Sequence, residues 1–108
     1  MLIIDQGINM LQLYKEEPIS ISFLKSDRQL QLEFCNVKMN LNPCQFKLFN
    51  QYLIRIQKGL DSDTKSVQIN LVKDCLNIEI SLKDFLQLCN GVETALINKF
   101  GYKPKIQN

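Results

Sequence analysis

The chain has 108 residues, enough for one domain with its own hydrophobic core, and its apolar fraction of 45% and charged fraction of 22% are those of an ordinary globular protein. The formal net charge is +2, but residues 99–108 hold three lysines and no acid, so residues 1–98 carry a net charge of −1. This balance excludes the broad basic surface of a dedicated nucleic-acid-binding protein, and no apolar run reaches the roughly 20 residues of a membrane span.

The content of cysteine and histidine limits the chemistry further. The chain has four cysteines without a CxxC pair, at Cys35, Cys44, Cys75 and Cys89, and no histidine. Histidine-based catalysis is therefore excluded, and a zinc site would need all four thiolates or added carboxylates. We expect no metal and no other cofactor. The N-terminal residues lack the basic and apolar segments of a signal peptide, so we expect a cytoplasmic protein with reduced thiols.

Alternating apolar residues predict strands in the first part of the chain. Residues 1–15 fit either a helix or a strand, and we favour a strand over their second half. Ser26-Asp27 is typical of a turn, and Cys35-Asn36 predicts a tight hairpin turn, since asparagine tolerates positive φ. The strands predicted around these turns are residues 19–23, 30–34 and 37–41.

A helix is predicted after these strands. Asn42 can cap the free amides of the first turn, and Pro43 at the first helical position loses no hydrogen bond. We expect the helix to end near Gly59, because glycine is common just after the last helical residue. The buried stripe is Phe46, Phe49, Leu53, Ile56 and Leu60.

The same pattern returns 39 residues later. Strands are predicted at 67–71 and 76–80, and Ser81 caps a second helix. This superposition pairs Leu30 with Ile69 and Leu32 with Leu71. The helical period of the second helix places Gly91 on its solvent side. The buried face of that helix is Phe85, Cys89, Val92, Leu96 and Phe100.

We therefore predict an α+β fold, in which a tandem ββα repeat forms an antiparallel sheet with two helices packed on one face. The repeat units span about 19–60 and 66–100, within a single domain of residues 1–108.

Three groups of residues are candidates for function. Cys44 lies at the second position of the first helix, where amides and the helix dipole favour a thiolate, although a small residue tolerated in a first turn is the favoured interpretation. Leu48 and Tyr52 lie on a flank of that helix outside its main stripe. They either cover the N-terminal segment or form a homodimer contact, and we weigh these about equally.

The C-terminal residues interleave aromatic rings with bases, as single-strand binders do. Lys99, Tyr102, Lys103 and Lys105 are the nucleic-acid candidates. A solvated tail with ordinary lysines is the favoured interpretation.

The run from Leu32 to Phe49, LEFCNVKMNLNPCQFKLF, resembles a pattern in a family of small uncharacterised bacterial domains, of the kind found in Bacteroidetes. In that pattern a strand ending in Phe-Gly leads through a tight turn to another strand, a polar cap and a helix with repeated Phe. Cys35 stands here in place of the glycine, and Leu24 and Asp27 stand where such domains often carry a CxxC. The resemblance implies the fold and no activity.

Our leading hypothesis is a non-enzymatic cytoplasmic domain that works through protein contacts, as a homodimer or with another protein. The alternatives are a nucleic-acid-associated accessory protein that uses the basic tail, and a thiol-dependent enzyme or redox sensor at Cys44. We expect no membrane partner, and nucleic acid is the less favoured partner.

Overall fold

The computed structural model describes residues 10–71 and 76–101. Over these ranges the chain has the predicted α+β class, with antiparallel strands and two helices. The elements in chain order are β1 (Met10–Glu16), β2 (Ile19–Leu24), β3 (Gln29–Phe34), β4 (Val37–Leu41), α1 (Pro43–Lys58), β5 (Ser66–Leu71), β6 (Leu76–Ser81) and α2 (Leu82–Phe100). The strand favoured for the second half of residues 1–15 is confirmed as β1, while residues 1–9 lie outside the described ranges.

The larger sheet has four strands in the order β1-β2-β3-β4. One face is apolar because the alternating patterns of neighbouring strands coincide, with Ile21 opposite Leu32 and Leu32 opposite Met39. The turn predicted at Cys35 and Asn36 is confirmed, and both residues have positive φ, at 49° and 67°. These are the angles that a two-residue hairpin with the natural strand twist requires.

A β-bulge at Leu13 changes which side chains of β1 face the core. Gln12 lies opposite Ser22 and Tyr14 lies opposite Ile21, so Leu13 is the additional residue. Leu13 is buried, and Tyr14 packs against the core beside it. The simple alternation considered for this segment therefore changes phase at the bulge.

Both helices begin at the predicted caps. The side-chain oxygen of Asn42 accepts a hydrogen bond from the Gln45 amide at 2.7 Å, and the Gln45 side chain accepts one from the Asn42 amide at 2.9 Å. This reciprocal pair is a capping box. In α2 the Ser81 hydroxyl accepts from the Asp84 amide at 3.1 Å. The helix ends at Gly101 in the left-handed conformation, with φ at 66°.

The core lies between the four-stranded sheet and the helices. α1 contacts β3 and β4, α2 contacts β1 and β2, and the helices contact each other. Phe34, Phe46 and Phe85 are among the largest fully buried side chains there. α2 also contacts β5 and β6, so it joins both parts of the molecule.

The described strands form two sheets, where we expected one. β5 and β6 pair only with each other, and β4 is an edge strand of the larger sheet. Part of the reason lies in α1, because the Asn70 backbone amide of β5 donates to the hydroxyl of Tyr52 at 2.9 Å. A side chain thus takes the position that the carbonyl of a neighbouring strand would occupy.

The two repeat units have the same order of elements, strand, strand and helix. The pairing of residues between the two strands agrees only loosely from one unit to the other. Leu32 lies opposite Met39 in the first hairpin, and Ile69 lies opposite Ile78 in the second. The counterpart of Leu32 is therefore Ile69 and not Leu71, because the second hairpin connection is two residues longer than the first. An even shift keeps every side chain on its expected face, which is why the sequence pattern did not reveal it.

The prediction that Gly91 faces solvent is wrong. Gly91 is buried, and a Cβ atom added to it would lie 2.7 Å from Cε2 of Tyr14. Ala95, one turn further along α2, is fully buried as well. The prediction failed because it gave α2 one buried face, whereas α2 packs against β1 in addition to α1 and β5-β6.

Two amide side chains fasten α2 to β1. Gln87 donates to the backbone carbonyls of Glu16 and Glu17, at 2.6 Å and 2.8 Å. Asn98 donates to the carbonyl of Leu13, at 3.3 Å. These bonds satisfy backbone acceptors at the end and at the bulge of β1, where pairing with β2 is interrupted.

Candidate functional site

An apolar groove of about 300 Å³ lies between α1, the edge strand β4 and strand β5. We call it the α1–β4 groove. Its apolar lining consists of Met39, Leu41, Leu48, Phe49, Tyr52 and Leu71. The described residues that complete it are two neutral amides, Gln45 and Asn70. The described part of this lining has no carboxylate, amine or thiol, so it can bind an apolar group but offers no acid, base or nucleophile of ordinary strength.

Leu48 is the most exposed large apolar side chain among the described residues, at 59%. It lies three residues after Gln45 and four before Tyr52, so the three residues share one flank of α1. The two interface candidates proposed from sequence, Leu48 and Tyr52, therefore line the same groove.

Tyr52 has a structural role as well. Its hydroxyl accepts the hydrogen bond from Asn70, and its ring centroid lies 6.4 Å from that of Phe49 in a tilted pair. These contacts hold the phenol in place between α1 and β5.

The described part of the N-terminal segment does not cover this flank. β1 lies at the opposite edge of the four-stranded sheet from β4, and it packs on α2. Residues 10–16 of the N-terminal segment therefore do not lie over Leu48 and Tyr52, whereas residues 1–9 lie outside the described ranges. Both interpretations, cover for the N-terminal segment and a homodimer contact, stay predictions.

The helix beside the groove is basic. α1 contains Lys47, Arg55 and Lys58 and no acid. Arg55 lies two turns after Leu48 on the same flank, and its side chain is exposed. An occupant of the groove therefore meets positive charge near the C-terminal end of α1.

The three described cysteines are free thiols. Cys44 is exposed at the second position of α1, as predicted, whereas Cys35 and Cys89 are partly buried. Burial, assisted by the carboxylate of Asp84, raises the pKa of Cys35. Burial also raises the pKa of Cys89, to about 11. Both shifts disfavour the nucleophilic thiolate.

Of the remaining candidates, Cys75, Tyr102, Lys103 and Lys105 lie outside the described residues. Lys99 is described, and its Nζ lies 4.0 Å from the centroid of the Phe23 ring. Within residues 10–71 and 76–101, no group of three or more Cys, Asp or Glu side chains is placed to hold a metal ion.

Sequence reasoning missed Asn50, a buried polar residue of α1. It is 2% exposed on the core side of α1, and its Nδ2 has no hydrogen-bond partner. Asn50 lies four residues after Phe46 and therefore next to the apolar stripe of α1. This spacing was the signal in the sequence that Asn50 would be buried. The β5 wall of the groove was also missed, because it depends on how two repeat units meet.

Neither described helix combines the length and apolar character needed to cross a membrane. No family model, no curated protein and no solved structure matches the chain. The fold and the groove together define a small α+β domain with an open apolar surface beside a basic helix.

Proposed function

We propose that this protein is a non-enzymatic interaction domain that binds protein through the α1–β4 groove, in the first instance a second copy of itself. The observation that carries the proposal is Leu48, 59% exposed at the side of an apolar groove of about 300 Å³. Contiguous apolar surface of this kind marks interaction sites more often than isolated exposed residues do.

A second copy suits the shape of this surface. Each protomer presents a projecting apolar side chain, Leu48, next to a hollow lined by Phe49 and Tyr52. In a two-fold symmetric contact the same patch faces itself, so each Leu48 can enter the groove of the other protomer. The free edge of β4 lies beside the groove and can extend the contact by strand pairing.

The energy available from Leu48 is substantial. Full burial of a leucine stabilises by about 1.5–3 kcal/mol, so burying its exposed part contributes about 1–2 kcal/mol in each protomer. Symmetry doubles this to about 2–4 kcal/mol. A stable dimer buries about 1,200–2,000 Å² in total, so the exposed flank of α1 around Gln51 and Arg55 must take part as well.

The test is the oligomeric state of the untagged protein from low to high micromolar concentration, by native mass spectrometry and sedimentation velocity. We expect a dimer whose dissociation constant rises about 30-fold or more in Leu48→Glu, the equivalent of 2 kcal/mol. The matched control is Leu86→Glu, since Leu86 is 41% exposed on α2 and does not line the groove. A wild-type protein that stays monomeric, with Leu48→Glu indistinguishable from it, would contradict the dimer.

We also propose that the protein is located in the cytoplasm of a bacterium. The support is the exposed thiol of Cys44, which suits a reducing compartment. Cell fractionation with an antibody against the native protein tests this assignment, and recovery from the periplasm would contradict it.

A further inference from the structure

A second cavity, of about 330 Å³, opens where the β2–β3 turn, the start of α1 and the end of α2 meet. Its described lining is Phe23, Lys25, Arg28, Pro43, Lys99 and Phe100. Three of these side chains are cationic and none is acidic. We propose that this cavity, the basic pocket, binds the phosphate group of a nucleotide, either free or within a single-stranded nucleic acid.

Among the described residues, no acid forms an ion pair with the cations of the basic pocket. The ion pair found among the described residues is Lys38 with Glu33, on another part of the sheet. Asp27 lies between Lys25 and Arg28 in the chain, but it neither lines the cavity nor forms an ion pair with them. The positive charge therefore remains available to a bound anion.

Lys99 is positioned by an aromatic ring. Its Nζ lies 4.0 Å from the centroid of Phe23, within the range of a cation–π contact. Such a contact holds the ammonium group at the cavity without cancelling its charge. The sequence had placed Lys99 in a basic tail, whereas the structure places it at the end of α2 beside the cations of the β2–β3 turn.

Arg28 occupies an unusual backbone position. Its φ is 54°, in the left-handed region where glycine or asparagine is accommodated more easily. Turns between antiparallel strands often use this conformation, as the turn at Cys35 and Asn36 does, so it fixes the position of the Arg28 side chain at the end of the hairpin. Arginine also presents several N–H donors in a plane, which matches the oxygens of a phosphate group.

The rest of the lining suits a nucleotide better than a bare anion. Pro43 is the first residue of α1, so the positive end of the helix dipole faces the same region, and the first turn contains no acid. Phe100 and Pro43 add apolar surface next to the cations. Aromatic and basic side chains side by side are the usual combination in sites that bind single-stranded nucleic acid.

The experiment measures the anisotropy of a fluorescein-labelled oligo(dT) and, in parallel, calorimetric titrations with thymidine monophosphate and with inorganic phosphate, at about 50 mM salt. The test variant is Lys25→Gln with Arg28→Asn, because asparagine tolerates the left-handed conformation. The control is Lys58→Gln with Lys83→Gln, which removes the same charge from two exposed residues that do not line the basic pocket. Circular dichroism and thermal unfolding establish that both variants are folded.

We expect the test variant to bind at least about 10-fold more weakly, and the logarithmic salt dependence of oligo(dT) binding to fall by about 1.4, for two lost phosphate contacts. The control should bind like the wild type. Binding of oligo(dT) alone identifies the source as nucleic acid, and binding of thymidine monophosphate or phosphate identifies a free ligand. If none of the three binds, or if the control loses as much affinity as the test variant, the proposal is wrong. The outcome is independent of the α1–β4 groove, because the described linings of the groove and the basic pocket have no residue in common.

Discussion

Gly91 lies beneath the ring of Tyr14, so one added methyl group tests how α2 packs on β1. In Gly91→Ala the new Cβ would lie 2.7 Å from Cε2 and 2.8 Å from Cδ2 of that ring. Ordinary contacts between carbon atoms are about 3.5–4.0 Å. Overpacking of this kind lowers the free energy of unfolding by about 1–3 kcal/mol, whereas the better helix propensity of alanine raises it by about 1 kcal/mol. We expect the free energy of unfolding to fall by about 1 kcal/mol, the difference between these effects.

The sign of the effect should depend on Tyr14. In a Tyr14→Ala background the ring is absent, so Gly91→Ala should raise the free energy of unfolding by about 1 kcal/mol through helix propensity alone. The double-mutant cycle should then show a coupling of about 2 kcal/mol.

The assay is urea unfolding of the four proteins, followed by far-ultraviolet circular dichroism. Asn90→Ala is the control for helix propensity, because Asn90 is the exposed neighbour of Gly91. It should stabilise by about 0.5 kcal/mol in both backgrounds. If Gly91→Ala stabilises equally with and without the Tyr14 ring, Gly91 faces solvent and the packing of Gly91 against Tyr14 is refuted.

Three further outcomes can be measured by the same unfolding assay. Asn50→Leu should raise the free energy of unfolding by about 1 kcal/mol, because it removes a buried Nδ2 group without a hydrogen-bond partner; a loss of stability would contradict this account. Asn42→Ala should lower it by about 1 kcal/mol, and adding Gln45→Ala should cost less than the sum of the two, since both side chains belong to one capping box. The pKa of Cys89, raised from 9.0 to about 11, means that the unfolded chain releases this proton first, so stability should decline as pH rises through that interval. Cys89→Ala should show a smaller decline than the wild type, and an equal decline in both proteins would contradict the raised pKa of Cys89.

The features predicted correctly are those that depend on neighbours in sequence. Asn42 and Ser81 cap the helices because each side chain reaches an amide three residues away. Cys35 and Asn36 form the hairpin turn because they are the two residues between the alternating apolar patterns of β3 and β4, and a two-residue connection requires a tight turn. Leu48 was recognised because a helical stripe of fixed period leaves it outside.

The features that were missed depend on distant parts of the chain. Nothing near Tyr52 in sequence shows that its hydroxyl bonds to Asn70 and helps to keep β5 apart from β4. The burial of Gly91 depends on Tyr14, which the bulge at Leu13 brings to the helix side of the sheet. The basic pocket likewise joins Arg28 to the far end of α2. Such contacts depend on how the helices and sheets pack against each other. The periodic pattern of apolar residues in the sequence does not determine that packing.

The hydrogen bonds between α2 and β1 also affect how the protein folds during translation. Gln87 bonds to β1 across 71 positions of sequence, and Asn98 does so across 85. A ribosome that adds about 5–20 residues per second needs roughly 3–12 s to proceed from the end of β4 to the end of α2. During that interval the sheet has been synthesised, but the helix that covers β1 and β2 has not. A nascent chain in this state exposes an apolar surface, so chaperone binding during translation should be strongest before α2 emerges and should end when it docks.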